Sequence, residues 1–342
     1  MQTQQVLQER YQLQKMLGQN AGRQTWLAED LETKNRQKVI IKLLPFSPQI
    51  QWEELKLFER EAQVLKHLNH PRIPRYRDYF SVNEIETTGL TWFGLVQDYI
   101  PGLSLRQMLD TGKRFTEDEV KQIATQILKI LIYLHELSPA VLHRDIKPSN
   151  LIIGQNGQVY LVDFGAVQDR AKAEGVTFTV VGTSGYAPPE QLWGKAVPVS
   201  DLYALGATLI HLLTGTAPAD LPQHQMRLEF RDKVNIDRGL ANWIEQLTEP
   251  APEKRFASAK EALGELQAPT HSFDKNYQPT GESVNYGRLI FLSLCAAVLS
   301  GCVVFVPLLV LLPNLLNGNT AKTKQTEAKQ YVSSMNRAQQ AY

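Results

Sequence analysis

Four polar side chains near the middle of the chain could together transfer a phosphoryl group. Three of them, Asp145, Lys147 and Asn150, fall in the run HRDIKPSN, and Asp163 follows in the triplet DFG. An aspartate can accept the proton of an incoming hydroxyl while a lysine offsets charge on the transferred group. Asparagine and aspartate oxygens are hard ligands of the kind that hold magnesium. An apolar run at 159–162 precedes Asp163 as a strand would, which argues against an ordinary charged surface loop.

Length and composition limit the classes of protein that this chain can be. Its 342 residues, 43% of them apolar, can bury the core of one two-lobed domain or of two small domains. The net charge of +1 gives no support to a nucleic-acid partner. Cys295 and Cys302 lie in one apolar run, so no disulfide framework is expected. The N-terminal MQTQQVLQER lacks the apolar core of a secretory signal, and the main domain is expected to be cytosolic.

An apolar strand and a helix are predicted upstream of these residues. The strand covers 39–44 and carries Lys42, whose ammonium would be costly to bury without a partner. Residues 51–68 have apolar side chains at three- and four-residue steps, which predicts a helix. Glu61 lies beside that apolar stripe and could either pair with Lys42 or remain a solvated helix glutamate.

Together these motifs resemble the eukaryotic-type Ser/Thr protein kinases of bacteria. The resemblance implies an α+β, two-lobed fold for residues 1–266, with a small β-rich N-lobe of about 1–97 and a mainly helical C-lobe of about 101–266. It implies ATP as substrate and Mg²⁺, or alternatively Mn²⁺, as the metal. The catalytic residues would then be Asp145, Lys147, Asn150 and Asp163, the last two also binding the metal.

The resemblance also implies where ATP would bind. Lys42 would pair with Glu61, Gln97 would be the gatekeeper, and the backbone at 98–100 would bind the adenine edge. The glycine-rich pattern G-x-G-x-x-G-x-V keeps only its first glycine, Gly18. Arg23 occupies the third glycine position, where its side chain would either crowd the phosphates or contact them. The complete predicted ATP-binding set is Leu17, Gly18, Asn20, Gly22, Arg23, Thr25, Lys42, Glu61, Gln97, Asp98, Tyr99 and Ile100.

A regulatory arrangement follows from the same resemblance. Arg144 stands beside the catalytic aspartate, and in kinases with this pair a phosphate on the activation loop often neutralises the arginine. The activation loop would run over 163–190. We expect Thr177 or Thr179 to be autophosphorylated and to contact Arg144.

Further positions are implied in the segment GTSGYAPPE and beyond it. Thr183 would face the catalytic aspartate and lysine, and that lysine indicates Ser/Thr rather than Tyr substrates. Glu190 would form a buried structural ion pair with Arg255. Asp201 would accept hydrogen bonds from backbone amides of the HRD turn.

The C-terminal part of the chain contains an apolar run that is not typical of a soluble domain. Residues 289–312 are apolar and uncharged, and a helix of about 20 residues is long enough to cross a bilayer. A polar linker at 267–288 precedes this run, and a polar tail at 313–342 follows it. The tail resembles the stalk of type IV pilin-like proteins, although a plain helical or disordered extension is the alternative. The kinase domain should be cytoplasmic, and the tail should lie on the opposite side of the inner membrane.

Two alternatives concern association and activity. Ser293, Ala297 and Gly301 recur every four residues and could let two membrane helices pack as a homodimer, or they are ordinary small-residue usage. We interpret the chain as a membrane-anchored, autophosphorylating kinase that acts on Ser/Thr hydroxyls of proteins. The alternative is a kinase-like pseudoenzyme acting as a membrane scaffold, and it rests on Asn20 and Arg23 in the altered glycine loop.

Overall fold

The structure is a computed structural model, and it describes residues 1–20, 23–46, 52–84, 90–166, 168–169 and 183–268. All of these residues belong to one compact unit, Met1–Phe273. The predicted linker beyond residue 268, the predicted membrane helix and the tail lie outside the described residues. So do Gly22, Thr177 and Thr179.

The N-terminal lobe is built on one antiparallel sheet of six strands. The strand order is β1-β2-β3-β4-β6-β5, so consecutive strands pair except where β5 lies at the edge beyond β6. The strands are β1 (Val6–Leu7), β2 (Tyr11–Asn20), β3 (Arg23–Asp30), β4 (Gln37–Phe46), β5 (Tyr76–Glu84) and β6 (Leu90–Asp98), and helix α1 (Trp52–His67) follows β4. The predicted strand at 39–44 and the predicted helix at 51–68 are therefore confirmed.

A hydrophobic core that the sequence did not predict covers part of this sheet. It joins Leu7 and Tyr11 at the N-terminus to Trp26, Phe80 and other fully or nearly buried side chains of β2–β6. The Tyr11 and Phe80 rings stack at a centroid distance of 5.8 Å. Burial of such aromatic surface stabilises the sheet, so the first strands fix the platform that carries β4.

The C-terminal lobe is mainly helical. Its helices are α2 (Leu105–Asp110), α3 (Glu117–Glu136), α4 (Pro189–Leu192), α5 (Pro198–Thr214), α6 (Arg238–Leu247) and α7 (Ala259–Gln267). Its short strands are β7 (Gly102–Ser104), β8 (Val141–Leu142), β9 (Leu151–Gly154), β10 (Val159–Leu161), β11 (Gln168–Asp169), β12 (Gln223–His224) and β13 (Arg227–Leu228). The α+β class and the two lobes that the sequence predicts are confirmed for the described residues.

Two helices form the centre of the lower lobe. Helix α3 begins at Glu117, after a capping box in which the side chains of Thr116 and Glu119 each bond the other's backbone amide. Helix α5 is buried along nearly its whole length and ends at Gly215, whose φ of 66° suits glycine at a left-handed cap. A helix that is apolar on every side belongs in a core, and α5 lies beneath the loop that follows β8.

Within the described ranges, no helix is both long enough and apolar enough to cross a bilayer. The apolar run at 289–312 is not among the residues that the structure describes.

Candidate active site

Three charged side chains from three different elements meet between the lobes. Strand β4 supplies Lys42, helix α1 supplies Glu61, and Asp163 follows β10. The Lys42 ammonium pairs with Glu61 and lies 2.5 Å from Asp163 Oδ1. The ion pair between Lys42 and Glu61 that the resemblance implied is therefore present, and Lys42 links it to the DFG aspartate.

The protonation states of this cluster follow from burial and from the paired charges. Burial opposes the charge on Lys42, but Asp163 and Glu61 outweigh it and raise the Lys42 pKa. The Lys42 charge is the main reason that the pKa of Asp163 falls to about 2. Burial raises the pKa of Glu61, which is 2% exposed. Lys42 is therefore a fixed cation and Asp163 a fixed anion at neutral pH.

The DFG glycine fits closely against this cluster. A Cβ added to Gly165 would lie 3.2 Å from Glu61 Oε2 and 3.4 Å from Asp163 Oδ1. Asp163 itself adopts φ of 67°, a left-handed backbone conformation that aspartate tolerates better than most residues. The preceding HRD histidine, His143, packs edge-on against Phe164 at 4.8 Å. The sequence around Asp163 thus fixes the direction of its carboxylate.

A second polar cluster gathers around Asp145. Its Oδ1 accepts a hydrogen bond from the Thr183 hydroxyl at 2.8 Å, and its Oδ2 accepts one from Asn150 Nδ2 at 2.9 Å. The Lys147 ammonium lies 2.8 Å from Asp145 Oδ2 and donates to Thr183 Oγ1 at 2.6 Å. A threonine hydroxyl is therefore held between the aspartate and the lysine, as the resemblance implied for Thr183.

Asp201 of helix α5 supports this loop from below. It is fully buried and accepts hydrogen bonds from the amides of His143 at 3.0 Å and Arg144 at 2.8 Å. His135 Nε2 donates to it at 2.9 Å. Burial opposes ionisation of Asp201, but His135 and the other neighbouring donors together outweigh it, and the Asp201 pKa lies below its ordinary value. The predicted contact of Asp201 with the HRD turn is present, and burial lowers the His143 pKa so that this ring stays neutral.

The predicted ion pair of Glu190 with Arg255 is also present. Arg255 donates to both carboxylate oxygens, at 2.6 and 3.0 Å, and the Ser200 hydroxyl donates to Glu190 Oε1 at 2.7 Å. The Arg255 side chain is completely buried. A planar guanidinium can satisfy both oxygens at once, so this pair joins helix α4 to the segment before α7.

The donor set around Asp163 suits a magnesium ion that arrives with phosphate. Among the described residues, no group of three or more His, Cys, Asp or Glu side chains could hold a metal. Asp163 is anionic and 47% exposed. Asn150 donates its amide nitrogen to Asp145, and its Oδ1 accepts a hydrogen bond from the Ser149 hydroxyl at 3.3 Å. The Val162 amide donates to the Asn150 carbonyl at 2.9 Å, so the two segments run together. Magnesium commonly takes one or two protein oxygens and completes its shell with phosphate and water.

The remaining predicted ATP-binding residues line β2, β3 and the link between the lobes. Thr25 lies directly opposite Lys42 in the pairing of β3 with β4. Leu17 is 48% exposed, and a Cβ at Gly18 would meet nothing within 4 Å. Gln97 is buried near the end of β6.

The end of β6 leads into the predicted adenine-binding segment. The Asp98 amide donates to the Arg75 carbonyl, and its carboxylate pairs with Arg77. Tyr99 and Ile100 follow and are half-buried. The backbone of Asn20 ends β2, and Arg23 begins β3 and reaches helix α1.

Sequence reasoning missed several partners in the lower lobe. His135 follows the apolar stripe of α3 at helical spacing from Leu131, which is the signal that could have placed it at the core. Gln191 donates to the Arg144 carbonyl at 2.7 Å. Tyr186 shares a buried hydrogen bond with His211 at 2.5 Å. Arg144 is itself buried, while the threonines expected to contact it lie outside the described residues.

Comparison with known proteins places this geometry in a family. Residues 11–267 match the model of the protein kinase domain. Serine/threonine-protein kinase B of Synechocystis sp. is 36% identical over 278 residues, which cover 77% of this chain and 47% of that protein. Serine/threonine-protein kinase PknA of Nostoc sp. is 36% identical over 77% of this chain and 48% of its own length. Serine/threonine-protein kinase PrkC of Bacillus subtilis is 32% identical over 75% of this chain and 40% of its own length.

This chain spans about half the length of these curated relatives. The family match nevertheless extends from the first long strand to the last helix of the described unit. It includes the Lys42 cluster, the Asp145 cluster and the buried residues beneath them. The chain therefore belongs to the protein kinase family.

Proposed function

We propose that this chain is an ATP-dependent protein kinase that phosphorylates Ser and Thr hydroxyls of proteins. The observation that carries the proposal is the pair of neighbouring clusters, one able to hold phosphate and one able to hold a hydroxyl. Lys42 offers a permanent cation beside Asp163, and Asp145 accepts a hydrogen bond from a hydroxyl. The names of the relatives, all Ser/Thr protein kinases, support the same activity.

The residues divide the reaction between them. Asp145 orients the acceptor hydroxyl and takes its proton as the hydroxyl oxygen bonds to the terminal phosphorus of ATP and the bond to the bridging oxygen of ADP breaks. Lys147 offsets negative charge on the transferred group, and Lys42 holds the other phosphates. Asn150 and Asp163 would hold Mg²⁺, or Mn²⁺ in its place, which supplies charge neutralisation at the phosphates. Positioning and charge stabilisation account for most of such catalysis.

The contact of Thr183 supports a Ser/Thr acceptor. Its hydroxyl sits between Asp145 and Lys147 at 2.8 and 2.6 Å, so a short aliphatic hydroxyl is compatible with this position. Lys147 is the residue that the sequence resemblance associates with Ser/Thr substrates. We infer that the segment around Thr183 helps to place the hydroxyl of a protein substrate beside Asp145.

Replacing Lys42 tests the proposal. The full chain should transfer radiolabelled phosphate from ATP and Mg²⁺ to a generic basic protein, with label on phosphoserine and phosphothreonine only. Lys42→Ala should abolish the transfer, while Lys38→Ala, an exposed lysine of the same strand, should leave it unchanged. Full activity of Lys42→Ala would contradict the assigned role. Binding of ATP without any transfer by the parent chain would favour the scaffold alternative.

We further propose that the kinase phosphorylates itself. Arg144 is buried next to Asp145, and the strand just before it, β8, pairs with β11 of the predicted activation loop. A phosphate on Thr177 or Thr179 could pair with its guanidinium and order that loop. Phosphopeptide mapping of the active full chain should find phosphate on one of the two threonines. Fully active protein with both threonines unmodified would contradict this proposal.

The location of the protein is also a proposal. The apolar run at 289–312 supports a single-pass anchor in the inner membrane with the kinase domain in the cytoplasm. The polar tail, similar to a pilin-like stalk, would then lie on the opposite side of the membrane from the kinase domain. The small residues of the apolar run would allow two such helices to pack as a homodimer. In sealed inside-out vesicles the kinase domain should be digested by protease and the tail protected. Digestion of the tail under these conditions would contradict the orientation.

A further inference from the structure

Arg23 connects the strand that covers the predicted ATP site to helix α1. It is the first residue of β3, and its Nη2 atom donates a hydrogen bond to the Glu54 carbonyl at 3.3 Å. Glu54 belongs to the first turn of α1, the helix that carries Glu61. The Arg23 side chain is half-buried. A glycine or another short residue at this position could not make this contact.

The strand register places Arg23 on the same face of the sheet as Lys42. Side chains two apart on a strand share a face, so Arg23 and Thr25 point the same way. Thr25 lies directly opposite Lys42, and directly opposed residues of an antiparallel pair also share a face. Burial raises the pKa of Glu61, and the positive charges of Lys42 and Arg23 both act against that rise. The guanidinium therefore acts electrostatically on the Lys42–Glu61 pair.

Helix stability alone does not account for this contact. The first turn of a helix carries partial positive charge, so a cation placed there is disfavoured rather than favoured. The Glu54 carbonyl is also a neutral acceptor, which makes the hydrogen bond weaker than an ion pair. What the contact does provide is a connection between β3 and the helix that positions Glu61.

We propose that Arg23 is a positioning residue that ties β3 to helix α1 and so keeps Glu61 on Lys42 in the arrangement that receives the phosphates of ATP. The inference rests on the proposed kinase function, because it assigns Arg23 a role in the same site. Its effect is expected on nucleotide binding and not on protein-substrate binding, since the contact joins β3 to α1 in the upper lobe, whereas Thr183 contacts Asp145 and Lys147 of the lower lobe.

Kinetics of the full chain give the first test. Arg23→Gly should raise the KM for ATP about fivefold, the size expected for loss of one ordinary hydrogen bond, and leave the KM for a basic protein substrate unchanged. Arg23→Lys, which keeps the charge but not the planar set of donors, should have a KM for ATP between those of the parent and of Arg23→Gly. Glu29→Gly introduces the same glycine at a half-buried position near the other end of β3 and should leave both KM values unchanged. A rise in both KM values for Arg23→Gly would indicate a general loss of structure and overturn the proposal.

A double-mutant cycle tests whether Arg23 acts through Glu61. Affinity for a fluorescent ATP analogue with Mg²⁺ is measured for the parent chain, Arg23→Gly, Glu61→Gln and the double variant. Arg23→Gly should weaken binding about fivefold in the parent and under about twofold when Glu61 is already replaced. An equal effect in both backgrounds, or none in a parent that binds the analogue, would overturn the inference. A parent that binds no nucleotide would overturn the proposed function itself.

Discussion

The catalytic loop of the lower lobe and the strand pair β2–β3 of the upper lobe hold their functional residues in different ways. The loop around Asp145 rests on Asp201, which is fully buried and accepts hydrogen bonds from two of its amides. In β2, by contrast, Met16 and Leu17 are 43% and 48% exposed. The hydrogen bond from Arg23 connects this end of the strand pair to helix α1.

This difference explains where the sequence keeps the family pattern and where it departs from it. A residue that is buried among charged partners cannot change alone, because a buried charge without its partner is costly. Residues 16–19 are exposed and residues 23–25 are half-buried, so substitution here carries less of this cost, and the glycine-rich pattern has Asn20 and Arg23 in place of two glycines. Substitutions at the buried charged residues of the lower lobe should therefore destabilise the protein, and substitutions at the exposed residues of the strand pair should mainly alter nucleotide binding.

The largest effect on stability is expected from the buried ion pair. Arg255→Met leaves Glu190 buried without its guanidinium and should lower the free energy of unfolding by about 3–5 kcal/mol, measured by urea denaturation. Arg106→Met, which breaks an exposed pair with Asp110, is the matched control and should cost under about 1 kcal/mol. Equal costs for the two variants would remove the contrast between buried and exposed charges.

A smaller effect, with a defined pH dependence, is expected at Asp201. Asp201→Asn keeps the shape but removes the charge that three donors share, and should cost about 1.5–3 kcal/mol at neutral pH. Because folding lowers the Asp201 pKa, its stabilisation is complete above the ordinary value of 3.8 and is lost as the pH falls through the lower folded value. The difference between the parent and the variant should therefore shrink at acid pH. A difference in unfolding free energy that stays constant as the pH falls through the folded pKa of Asp201 would contradict the role assigned to its charge.

The smallest effect on stability is expected in the strand pair. Leu17→Ala removes an exposed side chain and should change the free energy of unfolding by under about 0.5 kcal/mol. Its KM for ATP should nevertheless rise about two- to threefold, because an apolar contact to the nucleotide is lost. The neighbouring exposed variant Met16→Ala should change neither quantity. A large loss of stability in Leu17→Ala would show that this strand is fixed more firmly than its exposure indicates.

The sequence predicted most of the site because the residues that carry it lie in short motifs or in segments with a clear apolar pattern. HRDIKPSN and DFG are contiguous motifs, and Lys42 and Glu61 each lie within a segment of clear periodicity. The partners of these residues, including Asp201 and the pair of Glu190 with Arg255, came from the family resemblance. The structure places all of them in contact with the partners that the resemblance implied.

What the sequence could not provide are contacts between distant segments without a local pattern. His135 and Asp201 meet because two helices cross, and neither residue stands in a motif that names the other. The core that joins Leu7 to Trp26 depends on how the first strands fold over the sheet. The role of Arg23 was open for the same reason, since only the register of β3 shows which face it occupies.

Phosphate transfer by the full chain tests the central claim most directly. The parent should transfer phosphate from ATP and Mg²⁺ to a basic protein, and Asp145→Asn should lower kcat about a thousandfold through loss of the group that receives the hydroxyl proton. Asp110→Asn, at an exposed aspartate of the same lobe, should retain the parent rate. Activity of Asp145→Asn equal to that of the parent and of the control would contradict the account.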